Sequence, residues 1–199
     1  RLSLVILNEK IYFNNSLGDI SAIDINNGNL LWQTPTQSSL AFDTGFFLKT
    51  SDVVADKDAL FFSNNQNQFF SLDIQTGNLN WKQEINSNLR PVIINDFIFT
   101  ISLEGYLIIL EKNTGNIIRS NYLLNKFKAK NRPKIKPTGF IVGNKNIYLS
   151  SNIGRLLVID IANGETKTIL KIDNKKISRP AIFNKNLYLI TDNSIIKLN

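Results

Sequence analysis

The sequence contains no cysteine, no histidine and no methionine. Without cysteine or histidine, the chain cannot supply a thiolate nucleophile, an imidazole general base, a zinc finger or a Ser-His-Asp triad. Most common enzyme classes are therefore excluded, and no disulfide framework identifies a redox compartment. Because a primary translation product starts with methionine, we expect the 199 residues to be a processed or truncated part of a longer protein.

Long apolar runs are also missing from the sequence. None approaches the roughly 18 residues that a helix needs to cross a bilayer, and the first residues do not resemble a signal peptide. The hydrophobic fraction of 43% is that of a globular chain with a core, which excludes a disordered or membrane-spanning chain. The length fits one large domain or two small ones.

Four segments of the sequence resemble one another. Each begins with an acidic residue, reaches a glycine four positions later and continues as an apolar or mixed run. The segments extend from Asp24 through Gly28 to Trp32, from Asp73 through Gly77 to Trp81, from Glu111 through Gly115 to Arg119, and from Asp160 through Gly164 to Thr168. A short apolar run precedes each acidic residue by 13 or 14 positions. Such self-similarity is the signature of a repeat fold.

Each repeat unit is predicted to contain four short strands. The apolar runs are too short for helices, and they alternate with Asn, Gly and Asp clusters that favour turns. Runs that are apolar on both faces, such as residues 106–110, indicate sheets that are covered on both sides. We therefore predict an all-β chain, a β-propeller of four-stranded antiparallel blades. The approximate blade units are residues 1–36, 50–86, 90–124, 137–172 and 179–199.

The repeated residues have a mechanical explanation. A tight turn between antiparallel strands needs a residue with positive φ, which glycine adopts without a steric penalty. An Asp or Asn side chain can bond to backbone amides within the same turn. Trp32 and Trp81 fall on fourth strands, where a large flat side chain can cover the contact with a neighbouring blade. We expect structural roles for these residues; stacking of a ligand on either Trp is the alternative.

The segments 22–32 and 71–81 resemble the Ala-x-Asp-x-x-Thr-Gly-x-x-x-Trp repeat of quinoprotein-type β-propellers, and the resemblance covers nearly the whole chain. That family includes dehydrogenases that use pyrroloquinoline quinone, and non-enzymatic propellers of the BamB type, lipoproteins of outer-membrane β-barrel assembly. The resemblance implies that residues 1–199 are the last five units of a seven- or eight-bladed protein, because residues 179–199 provide only three strands. The alternative is a closed five-bladed ring with one blade a strand short.

The dehydrogenase alternative implies a quinone pocket, a calcium site, a catalytic Asp and, in many members, a vicinal cysteine pair. The cysteine pair is absent from this sequence. The acidic residues recur at the same turn position in successive units, which is typical of architecture and not of a single active site. The Asn-rich turns carry oxygen ligands of the kind calcium uses, but without an Asp-x-Asp-x-Asp-Gly pattern. We therefore expect no catalytic residues, no cofactor and no metal.

Two connections between units are long. Residues 33–50 include the apolar stretches 40–42 and 45–48, which indicate either a loop that docks a partner or an outer strand packed on its own blade. The second connection holds the basic segment, residues 126–136, with six cations and no acid. Its cations occupy every second position: Lys126, Lys128, Lys130, Arg132, Lys134 and Lys136.

The basic segment is predicted to be extended, which would place its six cations on one face. Pro133 argues against a helix in the second half of the segment. The functional hypothesis is an anionic partner, either phospholipid or an acidic protein surface. Nucleic acid is disfavoured, because Phe127 is the sole aromatic residue among the cations. The alternative is an outer edge strand whose lysines prevent pairing with other strands.

The sequence and the resemblance together predict a non-catalytic protein-interaction scaffold of the BamB type. The resemblance implies the barrel-assembly protein BamA as partner and a periplasmic, outer-membrane-associated location. Two alternatives stay open, namely a fragment of a quinone-dependent dehydrogenase and an extracellular or periplasmic propeller that binds another ligand.

Overall fold

The structure is a computed structural model that describes residues 3–15, 18–36 and 48–198. Strands and turns dominate these residues, which confirms the prediction of an all-β chain. The chain forms two compact units, one of Arg1–Ile98 with Leu110–Asn116 and one of Phe99–Ile109 with Ile117–Asn199.

Within the described residues the strands form five antiparallel sheets, each with its strands in consecutive order. The first sheet contains β1 (Leu4–Leu7), β2 (Lys10–Asn14), β3 (Ile20–Asp24) and β4 (Leu30–Thr34). The second contains β5 (Val54–Ala55), β6 (Ala59–Asn64), β7 (Gln68–Asp73) and β8 (Leu79–Gln83). The third contains β9 (Val92–Ile94), β10 (Phe97–Ile101), β11 (Tyr106–Glu111) and β12 (Ile117–Tyr122).

The fourth sheet contains β13 (Pro137–Val142), β14 (Asn146–Ser151), β15 (Arg155–Asp160) and β16 (Thr166–Lys171). The fifth has three strands, β17 (Ala181–Phe183), β18 (Asn186–Ile190) and β19 (Ile195–Leu198). A 3₁₀ helix, Ala129–Lys134, precedes β13.

Local sequence explains the hairpins. Asn8 and Glu9 join β1 to β2 with φ of 49° and 59°, and Asn184 and Lys185 join β17 to β18 with φ of 47° and 63°. Two consecutive residues with positive φ form the turn whose twist matches that of antiparallel strands, and Asn adopts this conformation at low cost. These two-residue turns fix the pairing of Leu7 with Lys10 and of Phe183 with Asn186.

Sheets pack face to face within each compact unit. In the first unit, residues of the first and second sheets share one core, which includes Tyr12, Ile20, Leu60, Phe62 and Phe70. In the second unit, Leu156 of β15 packs with Leu187 and Leu189 of β18. The inner strands β6, β7 and β11 are buried at four or more successive residues, as expected for strands covered on both faces.

Candidate functional site

The four acidic residues of the repeat are the last residues of β3, β7, β11 and β15, and each begins the turn that leads to the fourth strand. In the first turn, Gly28 N–H donates to the Asp24 carbonyl at 2.9 Å, and Asn26 N–H donates to Asp24 Oδ1 at 2.8 Å. The same backbone bond joins Gly77 to Asp73, Gly115 to Glu111 and Gly164 to Asp160. The four glycines have φ between +73° and +75°. The carboxylates of Asp73 and Asp160 accept from amides of their own turns as that of Asp24 does, whereas the Glu111 carboxylate accepts from the Thr114 hydroxyl.

A shared irregularity accompanies three of these turns. The pairing between the third and fourth strands shifts at Ala22/Ile23, at Ser71/Leu72 and at Val158/Ile159. A bulge of this kind adds one residue to one strand and increases the local twist. The equivalent position in the first, second and fourth repeats indicates that the turn and the bulge form one structural unit.

Hydrogen bonds favour the charged form of two of these carboxylates, those of Asp73 and Asp160. The Thr76 hydroxyl donates to Asp73 Oδ1 at 2.8 Å, and this bond, with the Thr76 amide, lowers the Asp73 pKa. Lys167 donates to Asp160 across 2.7 Å and lowers the pKa of that carboxyl. A depressed pKa is the opposite of what a carboxylate needs in order to act as a general acid near neutral pH.

The fourth-strand aromatic residues pack on the turn of the following repeat. A Cβ added to Gly77 would lie 2.5 Å from Trp32 Cε3, and one added to Gly115 would lie 2.5 Å from Trp81 Cδ2. Trp81 Nε1 also donates to the Lys112 carbonyl at 3.0 Å. Glycine is therefore needed at both positions for its positive φ and for the space that the indole ring fills.

Polar side chains reinforce the same contact between repeats. Thr34 Oγ1 donates to the Gly77 carbonyl at 2.7 Å, and Gln83 Nε2 donates to the Gly115 carbonyl at 2.9 Å. Each of these residues lies two positions after a Trp of the repeat. The fourth strands β4 and β8 therefore each bind the next turn through an aromatic ring and a hydrogen bond.

Other positions in the repeats depart from this pattern. Arg119 occupies the Trp position of the third repeat, and its Nη1 donates to the Ile161 carbonyl at 3.3 Å beside Gly164. Gly28 has the same φ as its counterparts, but no atom of the described residues lies within 4 Å of a Cβ placed there. The contact between a fourth strand and the next turn thus persists in the third repeat without Trp. Among the four turn glycines, Gly28 is the one with open space beside it in the described residues.

A polar cavity of about 360 Å³ lies in the first compact unit. Its walls come from strands of the second sheet and from turns of the second and third sheets, with Lys112 Nζ and Asp56 Oδ2 joined at 2.6 Å. The lining residues are Asp56, Lys57, Asp58, Ala59, Phe61, Ser71, Asp73, Asn80, Asp96, Lys112 and Asn113. The hydrogen bond from Lys112 lowers the Asp56 pKa and raises that of Lys112.

We expect acid to weaken the fold partly through Asp56. Since its folded-state pKa lies below the ordinary value of 3.8, the Asp56 stabilisation is present above that value and is lost as pH falls through the folded-state pKa. Asp56→Asn should lower the free energy of unfolding by about 1 kcal/mol at pH 7 and make it fall less steeply below about pH 4. Urea unfolding across this pH range measures both effects.

Asp58→Asn is the matched control, because the Asp58 carboxylate is 81% exposed and lies 3.8 Å from the ammonium of Lys57. It should change stability by less than about 0.5 kcal/mol at any pH. Equal effects of the two substitutions would contradict a stabilising role for the Asp56–Lys112 pair.

The basic segment lies outside the sheets, and the prediction that it is extended was wrong. Residues 129–134 form a 3₁₀ helix, in which the N–H groups of Asn131 and Ile135 donate to the Lys128 and Arg132 carbonyls. Pro133 is tolerated because neither bond uses its nitrogen and its fixed φ suits a 3₁₀ turn. With three residues per turn, the six cations cannot all lie on one face. The alternative of an edge strand does not fit these residues either.

Two of the six cations are used within the protein. Arg132 donates from Nε to the Phe127 carbonyl at 2.9 Å and from Nη2 to the Asn125 carbonyl at 2.8 Å. Lys126 Nζ donates to the Lys167 carbonyl at 2.8 Å. The other four, Lys128, Lys130, Lys134 and Lys136, are exposed, and no carboxylate among the described residues pairs with them.

The remaining points concern the apolar connection, metal sites and membrane-spanning helices. Most of the apolar connection, residues 37–47, lies outside the described residues. Among residues 3–15, 18–36 and 48–198, no group of three or more acidic side chains is placed to hold a metal ion. No helix of these ranges is long and apolar enough to cross a membrane.

Sequence reasoning missed the Asp56–Lys112 pair and the cavity beside it. Asp56 lies in the turn between β5 and β6, and Lys112 directly follows Glu111, the acidic residue of the next repeat. No motif marks either residue as functional.

Solved structures similar to this chain establish its fold class. The Cps50 (Swd1) β-propeller domain of Myceliophteria thermophila superposes with a TM-score of 0.73 and 11% identity, over 98% of this chain and 63% of that one. The quinohemoprotein alcohol dehydrogenase of Comamonas testosteroni gives 0.67 and 12%, over 94% of this chain and 39% of that one. The predicted β-propeller of antiparallel blades is thereby confirmed.

The family follows from the sequence. A protein-family model described as "Outer membrane protein assembly factor BamB" matches residues 1–121, more than half of the chain. The chain therefore belongs to this BamB-like family of quinoprotein-type propeller repeats, as the repeat motif predicted. BamB from Moraxella catarrhalis superposes with a TM-score of 0.60 and 14% identity, over 98% of this chain and 70% of that one. No curated protein sequence matches the chain.

Proposed function

We propose that the chain acts as a non-catalytic protein-interaction scaffold in outer-membrane β-barrel assembly. The observation that carries this proposal is the BamB family match over residues 1–121. By that relationship its partner is the barrel-assembly protein BamA, and its location is the periplasm, at the outer membrane and beside an anionic lipid surface. Nucleic acid is not a partner in this proposal.

The geometry of the repeats supports a scaffold. The carboxylates of Asp24, Asp73 and Asp160 accept from amides of their own turns, and the repeated Trp side chains fill space beside the next glycine. These contacts build the frame of the repeats. In such frames the connections between sheets carry recognition, because the strands fix their positions while their sequences are free to vary.

Cross-linked complexes from membranes of the source organism provide the test in cells. A tagged form of the chain should co-purify with the barrel-assembly protein after formaldehyde treatment, at a yield well above that of a tagged unrelated periplasmic protein. Equal recovery with the two baits would overturn the proposal.

A second candidate, a fragment of a quinone-dependent dehydrogenase, is favoured by the likeness to the Comamonas testosteroni enzyme. In this case the chain would contribute part of a cofactor pocket. Titration with pyrroloquinoline quinone and calcium separates the two candidates, since the scaffold should form no stable stoichiometric complex with them. Such a complex would favour the dehydrogenase.

A further inference from the structure

The charges of the protein are divided unequally between its two compact units. Arg1–Ile98 with Leu110–Asn116 carries seven basic and eleven acidic residues, a net charge of −4. Phe99–Ile109 with Ile117–Asn199 carries sixteen basic and five acidic residues, a net charge of +11. The overall net charge of +7 therefore conceals a strongly basic half. A field of this kind attracts anionic surfaces to one part of the molecule.

The backbone of the basic segment is held firmly in place. Arg132 bonds to two carbonyl oxygens of residues 125–127 and lies 5.9 Å from the centre of the Tyr122 ring. Asn152 accepts from Lys136 N–H at 2.7 Å and donates from its Nδ2 to the Lys134 carbonyl at 3.0 Å. Ile135 is buried between these anchors, with 2% of its surface exposed. The backbone that carries the four remaining lysines is therefore anchored by hydrogen bonds.

The chemistry of the free cations distinguishes among anionic partners. Arginine is the side chain suited to bidentate recognition of a carboxylate or phosphate in fixed geometry, and Arg132 is already occupied. Lysines are compact, hydrated charges on flexible stems, which suit a diffuse layer of negative headgroups. The segment offers neither a row of aromatic rings for stacking single-stranded bases nor an α-helix for a DNA groove.

We propose that Lys128, Lys130, Lys134 and Lys136 form a peripheral docking surface for a bilayer that contains anionic phospholipids. Binding is electrostatic and leaves the protein outside the hydrocarbon core. This proposal does not depend on a barrel-assembly partner, because it rests on the charges and anchors of the second compact unit alone.

Sedimentation with lipid vesicles tests the proposal. The 199-residue chain should bind vesicles of phosphatidylcholine with about 30% phosphatidylglycerol in about 50 mM salt, and it should not bind phosphatidylcholine alone. Binding should be largely lost in about 500 mM salt, where charges are screened within a few ångströms. Each lysine near such a surface strengthens binding about fivefold, so the combined substitutions Lys128→Glu, Lys130→Glu and Lys134→Glu should weaken it at least about 100-fold.

The matched control reverses three exposed lysines elsewhere in the same unit, with Lys145→Glu, Lys171→Glu and Lys176→Glu. It changes the net charge by the same amount and should weaken vesicle binding less than about tenfold. Circular dichroism melts report whether both variants are folded. Absence of wild-type binding to the anionic vesicles, or equal losses in the two variants, would overturn the proposal. Tighter binding to single-stranded or duplex DNA than to the vesicles would also overturn it, in favour of nucleic acid.

Discussion

Gly77→Ala should lower the free energy of unfolding by about 3 kcal/mol, as measured by urea denaturation. About 1 kcal/mol comes from forcing a residue with a Cβ to keep a φ of +73°. The rest comes from overpacking, since the new methyl group would lie 2.5 Å from Trp32 Cε3 and 2.7 Å from Thr34 Oγ1. Both atoms belong to the fourth strand of the preceding repeat, so the substitution tests the contact between repeats.

Gly28→Ala separates the two contributions. Gly28 has a φ of +74°, nearly the same as Gly77, and no described atom lies within 4 Å of the added Cβ. This substitution should therefore cost only the conformational strain, about 1 kcal/mol. If the two glycines were equally sensitive, the packing of Trp32 on the second turn would not contribute to stability.

Trp81→Ala should also destabilise the protein by about 3 kcal/mol. The indole ring packs against Phe61 and Phe69, with ring centres 6.0 Å and 5.9 Å apart, and lies against Gly115 of the next turn. Its removal leaves a void beside two fully buried rings. The free energy of unfolding from urea denaturation measures the loss.

Replacement of each Trp by Phe isolates the hydrogen bond from the packing. Trp81 Nε1 donates to the Lys112 carbonyl, whereas the buried Trp32 Nε1 has no acceptor among the described residues. Trp81→Phe should therefore cost about 1 kcal/mol more than Trp32→Phe. A larger loss from Trp32→Phe would be inconsistent with a stabilising bond at Trp81.

Turns and strands depend on residues that are close together in the sequence, and these parts of the structure can be predicted directly. Glycine at the fourth position after an acidic residue determines a turn within six residues, and Asn8 with Glu9 determines a hairpin. Runs of β-branched and aromatic residues between such turns then give the strands. Repetition extends these local signals over the chain and so gives the fold class.

The contacts between distant residues could not be predicted in the same way. The sequence places Trp32 on a fourth strand, but only the fold brings it onto Gly77, 45 positions later. Asp56 and Lys112 pair across 56 positions without any motif. The basic segment misled the prediction because alternation is typical of an extended chain, whereas 3₁₀ bonds and the anchors at Arg132 and Asn152 determine its conformation.

Isothermal titration of the purified chain with the periplasmic part of the barrel-assembly protein BamA tests the scaffold proposal most directly. A scaffold should form a one-to-one complex with a dissociation constant in the micromolar range or below, which is typical of specific protein interfaces. It should give no stoichiometric heat when pyrroloquinoline quinone and calcium are titrated instead. No binding to the protein partner, together with a stable complex with the quinone, would contradict the proposal that this propeller is a scaffold.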